Sequence, residues 1–524
     1  MDPPRLRASA VKICLHVLLA AIIVAGIGAR LAALPGWVPD SGDEWGNTVA
    51  PLRVLYDGGD PGTFMHPSLY YYVTAAAYAA MAAIVRALGL APGAQSLTDL
   101  FVLDERWLSW TARAVSVAAA ALTMAALYGF GRTLWNRTAG LLAAALLAVL
   151  PLHAVYSEAV RVDSLFVLLF VVAFWRITLL LDRPGRAVAD TAAVCTGLAI
   201  AANYNGGLLL GWLVAALWLR GDIRTAPRAL LLAGTAFLVA SPFVLINAAT
   251  FLQHLSFISS LSLTEHPGLE GRGVTFYAEL LAAAHPLLAI VVAAAVLATA
   301  LLGDRRERFV LSLPVAYFVV FSLMRTRFDR FILPAVVLLL LVGAGLPSIL
   351  GRRLPAARVA AVALLLACIA ALAPRAIPLP RHDALARADG PVLDWLERHA
   401  APGSRIHVQS GVLPLIDVLD QGGPLSAALR ESLVRVRPGL DHQYFPAVYV
   451  GGRANYEPDV LTARRIDYAI ANGRTMHYID THCAALPDVC AVQRDMQARG
   501  TDAFITPDGV EPTIIYDLTG TVRR

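Results

Sequence analysis

Long runs of apolar residues, separated by short polar segments, dominate the first 380 positions of the chain. A membrane-spanning helix needs about 20 apolar residues, because about 30 Å of hydrocarbon must be crossed at about 1.5 Å per residue. The pattern predicts eleven spans, several of them short. They lie near residues 11–34, 107–131, 138–153, 163–181, 188–203, 206–219, 228–248, 276–302, 308–324, 329–350 and 356–374. The first could also serve as a signal peptide, but its length and the later spans favour an uncleaved anchor.

Two further segments have different patterns. Residues 67–88 predict an amphipathic helix that lies at the outer membrane surface, where its tyrosines suit the headgroup region. These are Tyr70, Tyr71, Tyr72 and Tyr78. The end of the chain predicts a small α/β domain, because the amphipathic helical pattern of VLDWLERHAA is followed by strand-like RIHVQSG, RRIDYAIAN and EPTIIYDLTG. This domain could recognise an acceptor, pack onto the membrane domain or serve as a structural cap.

Composition supports this division. The chain is 57% hydrophobic and 15% charged with a mean hydropathy of +0.62, whereas soluble proteins carry about 25% charged residues. An ordinary soluble enzyme is therefore excluded, and a net charge of +5 gives little reason to expect nucleic acid. Of the 81 charged residues, 33 lie in the last 144 positions. We predict a helical membrane domain over 1–379, with a first outer loop at 35–106, and an extracytoplasmic domain over 380–524.

Arginines give the orientation, because cytoplasmic loops of membrane proteins carry an excess of positive charge. With a cytoplasmic N-terminus, alternate loops are basic and the C-terminal domain lies outside. The basic loops contain Arg132 and Arg137; Arg183 and Arg186; Arg220, Arg224 and Arg228; Arg305, Arg306 and Arg308; and Arg352, Arg353 and Arg358. In the outer domain, Cys483 and Cys490 either form a disulfide, as an oxidising compartment favours, or remain free thiols.

On the predicted outer side, ionisable residues gather in three segments. The first holds Asp40, Asp43, Glu44, Arg53, Asp57, Asp60 and His66; the second holds Glu158, Arg161 and Asp163; the third holds Arg325, Arg327, Asp329 and Arg330. Ionisable groups at a membrane are costly, so such groups raise a functional hypothesis. The third segment stands out because its three arginines lie where the positive-inside rule predicts few.

Each segment also has a structural interpretation. The acidic pair of the first segment could be an exposed turn, and His66 could cap the helix that follows it. Arg161 and Asp163 could form an ion pair at a helix start, and the third segment could bind anionic headgroups without specificity. Against these interpretations, arginine pairs bidentately with phosphate oxygens, and a carboxylate can deprotonate a hydroxyl. Together the residues indicate a reaction on a phosphate-bearing lipid.

The order of motifs resembles that of the GT-C glycosyltransferases, in the superfamily of protein O-mannosyltransferases and lipid A aminoarabinose transferases. It is most similar to the bacterial branch grouped as family 39. The motifs are Asp43-Glu44 after the first span, HPSLYYY from His66, Arg113, GRTLWNRTAGLLAA, Arg161-x-Asp163, TGLAIAANYNGG, SPFVLIN and RFILP. The resemblance covers roughly residues 11–350, and the ordered set is more specific than any one motif.

The resemblance implies a GT-C membrane domain and transfer of a monosaccharide, with inversion, from a polyprenyl-phosphate donor. It assigns the catalytic base to Asp43, with Glu44 and Asp163 as further catalytic acids. It places His66, Arg161 and Arg330 near the donor phosphate, and charge placement extends this set to Arg325 and Arg327.

Two departures bear on the donor. Ser68 replaces the second proline of the family's HPPLYY segment, and Asn203 and Asn205 stand where relatives often have Thr-Lys. The second departure removes a candidate phosphate contact and leaves the donor headgroup open. Some relatives bind a divalent metal near the acids; here Asp43, Glu44 and Asp163 could ligate one through oxygen, and no cofactor is certain.

We therefore expect an integral enzyme of the bacterial inner membrane, acting with membrane lipids, a polyprenyl-phosphate sugar and a lipid, glycan or protein acceptor. One alternative is a transporter or flippase for lipid-linked sugars, although such proteins often show a duplicated half and charges near the bilayer midplane. A non-catalytic binder of lipid-linked sugars is the other. The sequence names neither the sugar nor the acceptor.

Overall fold

The protein is described here from a computed structural model. It describes residues 3–32, 42–183, 185–263, 273–324, 327–377, 389–409, 412–420, 422–446, 449–450, 453–454, 459–484, 486–506 and 512–522. Asp40 and Arg325 lie outside these residues. The backbone of Asp43 is described, but its side chain is not.

Helices dominate the chain up to residue 377. They are α1 (Pro3–Leu31), α2 (Gly42–Tyr56), α3 (Leu69–Ala87), α4 (Leu97–Leu103), α5 (Arg106–Leu134), α6 (Arg137–Val149), α7 (Pro151–Glu158), α8 (Asp163–Leu179), α9 (Arg186–Ala202), α10 (Leu208–Leu219), α11 (Ala226–Ala240), α12 (Phe243–Ile246), α13 (Ala248–Leu263), α14 (Gly273–Ala284), α15 (Pro286–Leu302), α16 (Arg305–Leu323), α17 (Leu333–Gly351) and α18 (Pro355–Leu372). Short 3₁₀ helices include Tyr204–Gly207 and Asp329–Ile332.

The chain then forms an α/β arrangement. Its elements are α19 (Asp389–His399), β1 (Arg405–Val408), α20 (Pro414–Asp420), α21 (Gly423–Val436), β2 (Gln443–Pro446), β3 (Tyr449–Val450), β4 (Arg453–Ala454), α22 (Val460–Ala463), β5 (Tyr468–Asn472), α23 (Gly473–Thr481), α24 (Pro487–Arg499), β6 (Thr501–Ile505), β7 (Thr513–Asp517) and α25 (Thr519–Val522). The five-stranded sheet has the order β2-β1-β5-β7-β6, with β1 parallel to both neighbours and β7 antiparallel to both. The expected α/β character of the tail is therefore present.

By internal packing the chain divides into two compact units. Unit 1 comprises residues 1–34, 63–73 and 113–379, and unit 2 comprises residues 35–62, 74–112 and 380–524. Most of the first outer loop thus packs with the C-terminal α/β elements. In unit 2, Cys483 and Cys490 form a disulfide with their Cα atoms 5.5 Å apart.

Five helical segments among the described residues are long and apolar enough to cross a membrane, or seven if each of two bent helix pairs counts as one span. The five are Ile13–Leu31, Arg106–Leu134, Ile223–Ala240, Asp329–Gly351 and Pro355–Arg375. The expected count of eleven is not established, because several predicted spans form shorter or bent helices. The predicted span at 276–302, for example, forms α14 and α15, which meet at 117°.

In unit 1, α17 is the central helix. Almost all of its residues are buried, whereas α1 and α18 expose most of theirs, as helices facing lipid would. The close approach of α9 to α11 depends on Gly197, because a Cβ there would lie 2.2 Å from the Ala233 carbonyl oxygen. Only glycine allows this contact without displacing a helix.

The sequence predicts that four tyrosines of α3 lie at the lipid headgroups, and this prediction is wrong for three of them. Tyr70, Tyr71 and Tyr78 are 0–1% exposed, so they do not face lipid headgroups. Tyr70 and Tyr71 pack edge to face with ring centroids 6.1 Å apart. The Tyr78 hydroxyl donates to the Thr48 carbonyl oxygen at 3.3 Å. A tyrosine has an apolar ring and a polar hydroxyl, so it suits packing inside a protein as well as a membrane interface.

The five predicted basic loops meet at one end of unit 1. Arg306 binds Asp182 at 2.8 Å and the Thr133 carbonyl oxygen at 3.2 Å, and Arg305 donates to the Leu219 carbonyl oxygen. The fifth loop joins through Arg352, which pairs with buried Glu307; the same carboxylate accepts the indole N–H of Trp135. This gathering is what the positive-inside pattern requires of loops on one membrane side.

Cysteines introduced at the two ends of α17 test on which side of the membrane the basic loops lie. The free cysteines Cys14, Cys195 and Cys368 are first replaced by serine, and Arg353→Cys and Asp329→Cys are introduced separately. We expect a membrane-impermeant maleimide to label position 329 in intact spheroplasts, and position 353 only after permeabilisation, because the basic loops stay cytoplasmic. Labelling of position 353 in intact spheroplasts would reverse the orientation.

Candidate functional site

A proline break sets the course of the chain into the second charged segment. Leu150, which precedes Pro151, is extended (φ −73°, ψ 112°), as residues before proline prefer. The axes of α6 and α7 consequently differ by 62°. Proline has no N–H, so the Leu147 carbonyl loses its helical i+4 donor.

Arg30 of α1 binds the carbonyl groups at this break. It is fully buried, and its guanidinium makes five hydrogen bonds, one for each of its N–H groups. The acceptors are the carbonyl oxygens of Gly26 (2.8 Å), Ala148 (3.2 Å) and Leu147 (3.3 Å), Ser157 Oγ (2.8 Å) and His153 Nδ1 (3.0 Å). The charge of Arg30 also interacts with that of buried Glu158. One side chain therefore connects α1 to both halves of the broken helix.

The loop after α7 is anchored by apolar residues on either side of Arg161. Val160 and Val162 are 0% and 1% exposed, whereas Arg161 is half-buried. The Arg161 carbonyl oxygen accepts from the Ser116 hydroxyl of α5 at 3.4 Å. α8 then begins at Asp163, where a carboxylate is favoured by the partial positive charge of a helix N-terminus.

The structure brings the second and third charged segments together. The Tyr156 hydroxyl of α7 donates to the Asp329 carboxylate, and the Arg161 guanidinium lies over the Tyr156 ring, 5.6 Å from its centroid. The charges of Arg161, Arg330 and Asp329 all act on the Tyr156 hydroxyl. We call these four residues the Tyr156 cluster. It joins segments that lie about 170 positions apart in the sequence.

Aromatic groups hold the third segment in place. The Arg330 guanidinium lies 4.4 Å from the ring centroid of Phe328 and 5.8 Å from that of Phe331. The Tyr277 hydroxyl donates to the Phe328 carbonyl oxygen at 3.2 Å, and the charges of Asp329 and Arg327 act on that hydroxyl. Arg327 is 4% exposed. Stacked rings and a hydrogen-bonded backbone thus limit the positions open to the arginines.

The segment around His66 has its own supports within unit 1. The Phe64 N–H donates to His254 Nδ1 at 3.0 Å, and the Tyr204 hydroxyl donates to the Phe64 carbonyl oxygen at 3.0 Å. The Ser68 N–H donates to the Ser241 hydroxyl at 3.1 Å, which follows from the serine that replaces the family's second proline. His66 itself is half-buried.

The asparagines that depart from the Thr-Lys pattern have a structural use. The Asn203 side chain accepts from the Asn205 N–H at 3.1 Å and so caps the 3₁₀ helix Tyr204–Gly207. The Asp163 charge acts on Tyr317, a buried residue of α16. Asp163 is 8% exposed.

The first-loop acids lie in the first turn of α2, which begins at Gly42. Glu44 is buried, and its carbonyl oxygen accepts from the Thr48 hydroxyl at 2.9 Å. An exposed acidic turn is therefore the wrong description of Glu44. No three His, Cys, Asp or Glu side chains among the described residues come together closely enough to hold a metal ion. That set leaves out the Asp43 carboxylate, and the assignment of a metal to the three acids stays a prediction.

Several residues of the site carried no signal in the sequence. Tyr156 and Tyr277 each lie two residues before a glutamate, but neither belongs to a motif that the sequence marks, and His254 stood alone. Arg30 had a usable signal: an arginine at the outer end of the first predicted span lies, like the third segment, where the positive-inside rule predicts few.

The fold is similar to that of solved glycosyltransferases of the GT-C superfamily. The family described as dolichyl-phosphate-mannose-protein mannosyltransferase matches residues 94–246 of the chain. No curated protein matches the sequence at a significant level. The resemblance to GT-C enzymes indicated by the motifs is therefore confirmed, whereas the family 39 branch is not tested.

Solved structures with this fold include ArnT from Cupriavidus metallidurans bound to undecaprenyl phosphate, with a TM-score of 0.57 and 14% identity over 95% of this chain and 97% of that one. The Archaeoglobus fulgidus oligosaccharyltransferase tethered to an acceptor peptide matches with a TM-score of 0.54 and 12% identity over 95% and 74%. The arabinofuranosyltransferase AftD from Mycobacteria matches with a TM-score of 0.52 and 16% identity over 95% and 41%. At these identities the likeness is one of fold.

Replacing Arg30 tests its place at the break. Arg30→Met keeps much of the apolar stem but removes all five hydrogen bonds, leaving buried carbonyl groups and the Glu158 charge without this partner. We expect the folded state to lose about 3–5 kcal/mol, seen as a lower melting temperature in detergent and faster hydrogen exchange over 147–158. Arg228→Met is the control, because its exposed pair with Asp190 should contribute less than about 1 kcal/mol. Equal effects of the two variants would contradict the assignment.

Proposed function

We propose that the protein is an integral membrane glycosyltransferase that moves a monosaccharide from a polyprenyl-phosphate sugar to an extracytoplasmic acceptor with inversion. The observation that carries the proposal is the Tyr156 cluster, in which arginines from two distant segments meet at helix ends. The GT-C fold gives this cluster its context, and ArnT with the same fold is bound to undecaprenyl phosphate.

Arginines suit the donor side of this reaction. A polyprenyl phosphate leaves with a negative charge, and guanidinium groups bind phosphate oxygens through charge-assisted, often bidentate hydrogen bonds. Arg161 and Arg330 are held by aromatic rings and by backbone hydrogen bonds of their segments, so little ordering is required when the phosphate charge develops. We assign donor phosphate binding to Arg161 and Arg330, with Arg327, Arg325 and His66 as further members.

The acceptor side requires a base. In the proposed step Asp43 takes the proton of an acceptor hydroxyl while that oxygen attacks the anomeric carbon opposite the phosphate. The bond between the anomeric carbon and the phosphate oxygen breaks, and its electron pair leaves with the polyprenyl phosphate. Glu44 and Asp163 are proposed to stabilise the positive charge that develops on the sugar. A divalent metal held by the three acids would add electrostatic stabilisation, but each step above uses only side chains of the chain.

The acceptor is a lipid, glycan or protein outside the cytoplasm, and the enzyme is placed in the bacterial inner membrane. Support for the location comes from the apolar helices of unit 1 and from the basic loops that meet at one of its ends. With that end in the cytoplasm, the Tyr156 cluster lies at the opposite, outer ends of its helices. Donors delivered on a polyprenyl carrier are available there together with the acceptors of the cell envelope.

Removing the proposed base should abolish transfer. We expect Asp43→Asn to lower the rate about 100-fold or more, because a positioned general base contributes about 10²–10⁴. The measurement is movement of radiolabel from undecaprenyl-phosphate sugars, tested as a panel with mannose and arabinose among them, to candidate acceptors. Asp104→Asn, which changes an exposed loop acid paired with Arg106, should retain full activity. Undiminished transfer by Asp43→Asn would exclude Asp43 as the base.

Donor binding can be measured without an acceptor. We expect Arg330→Met to weaken the binding of undecaprenyl phosphate about tenfold or more, since a hydrogen bond to a charged group contributes about 1.5–3 kcal/mol. The affinity of Arg330→Lys should lie between those of the wild type and Arg330→Met, because lysine keeps the charge but loses the planar fork and the stacking on Phe328. Arg106→Met is the exposed control, and unchanged binding by Arg330→Met would remove the residue from the phosphate site.

A further inference from the structure

The C-terminal part of the chain packs on the first outer loop within unit 2. Helix α21 contacts both α4 and α2. Although α4 has only seven residues, the six residues 97–102 are all buried. On α21, Leu425, Leu429 and Leu433 are buried at a spacing of four residues, which places them on one face of the helix. A short loop helix is thus covered as completely as a core element.

An ion pair between partly exposed Arg435 and the buried carboxylate of Asp99, together with hydroxyl contacts, fixes α21 on α4. Arg435 of α21 binds Asp99 at 2.6 Å, and the Asp99 side chain is 0% exposed. The other Asp99 oxygen accepts from the N–H groups of Gln95 (2.7 Å) and Ser96 (3.0 Å). Burial alone would raise the pKa of Asp99, but the hydrogen bonds from Arg435 and from this backbone hold it below its usual value. Beside this pair the Ser432 hydroxyl donates to Thr98 Oγ1 at 2.8 Å.

The same elements hold both ends of α2. Near its start, the Trp45 ring packs edge to face on Phe101 of α4 with centroids 5.9 Å apart. Just beyond its end, the Asp57 carboxylate accepts from the Leu425 N–H in the first turn of α21 at 2.9 Å. The chain enters α21 through Gly422 and Gly423, whose φ values of +70° and +86° other residues adopt only with strain.

We infer that the C-terminal domain is a clamp that positions α2, the helix whose first turn carries Asp43 and Glu44. The domain thereby positions the proposed catalytic acids without itself taking part in the reaction. Arg435 is the central positioning residue of the clamp, and Asp57 is a second. The expected effect on catalysis rests on the proposed function. The expected effect on the order of α2 does not, because losing the Asp99–Arg435 pair should loosen this helix whether or not Asp43 is a base.

The first experiment compares Arg435→Met with Glu431→Gln in the full-length protein. Glu431 pairs with the same arginine but is 76% exposed, so its variant keeps the contact between Arg435 and buried Asp99. For Arg435→Met we expect faster hydrogen exchange in residues 45–57, unchanged exchange in the β-sheet, and kcat lower by about tenfold or more with the donor KM nearly unchanged, since small displacements of a catalytic group are costly. Glu431→Gln should match the wild type in all three.

A disulfide tests whether the contact itself is what matters. In the Arg435→Met background, Thr98→Cys and Ser432→Cys replace two hydroxyls that already touch, so oxidation should relink α4 and α21. We expect the oxidised protein to recover slow exchange in α2 and most of its kcat, and mild reduction to abolish both gains. The wild type treated with the same reductant controls for the Cys483–Cys490 disulfide.

The outcomes separate the two proposals. If the wild type transfers no sugar but Arg435→Met still speeds exchange in α2, the glycosyltransferase proposal fails and the clamp stands as a structural device. If the wild type is active and Arg435→Met leaves both exchange and kcat unchanged, the clamp is wrong. Relinking that restores slow exchange without restoring kcat would also overturn it, because α2 would then be fixed without benefit to the reaction.

Discussion

The arrangement of unit 1 depends on a single buried arginine that compensates for a proline. Pro151 bends the helix so that α7 can carry Tyr156 toward the third charged segment, but the bend leaves carbonyl groups of α6 without helical donors. Unpaired buried carbonyls are costly. Arg30 supplies the missing donors from α1 and binds two side chains of α7 as well. The bend and the first span are therefore coupled energetically.

That coupling reaches the Tyr156 cluster through short steps. α7 ends at Glu158, three residues before Arg161, whose flanking valines are buried. The Tyr156 hydroxyl donates to Asp329 at the start of the segment leading into α17. Because α17 is the buried centre of unit 1, its position is fixed by packing on many sides. The cluster therefore lies between two rigid parts of unit 1, the Arg30 network and the central helix, although Arg161 belongs to a loop and Arg330 to a short 3₁₀ helix.

The sequence predicts what depends on local pattern and charge. Most apolar runs form helices near their expected positions, and the basic loops meet as the positive-inside rule requires. The bend between α14 and α15 was missed because periodicity describes a helix but not its direction. Tyr156 and Tyr277 were missed because their roles arise from contacts about 173 and 51 positions away in the chain, which no local pattern around a tyrosine reveals. A charge is costly in an apolar chain and therefore marks a site, whereas a tyrosine also suits ordinary packing.

The composition of the C-terminal part predicts a separate soluble domain, but composition cannot reveal what such a domain packs against. Asp99 illustrates the reason. In the sequence it is one acid in an outer loop, and its burial becomes tolerable only when Arg435 arrives from 336 positions away. Because the buried Asp99 carboxylate has its charge partner only when Arg435 is in place, the first loop and the C-terminal part are expected to order together. The position of α2, and of the acids in its first turn, then depends on residues that no local motif of that loop contains.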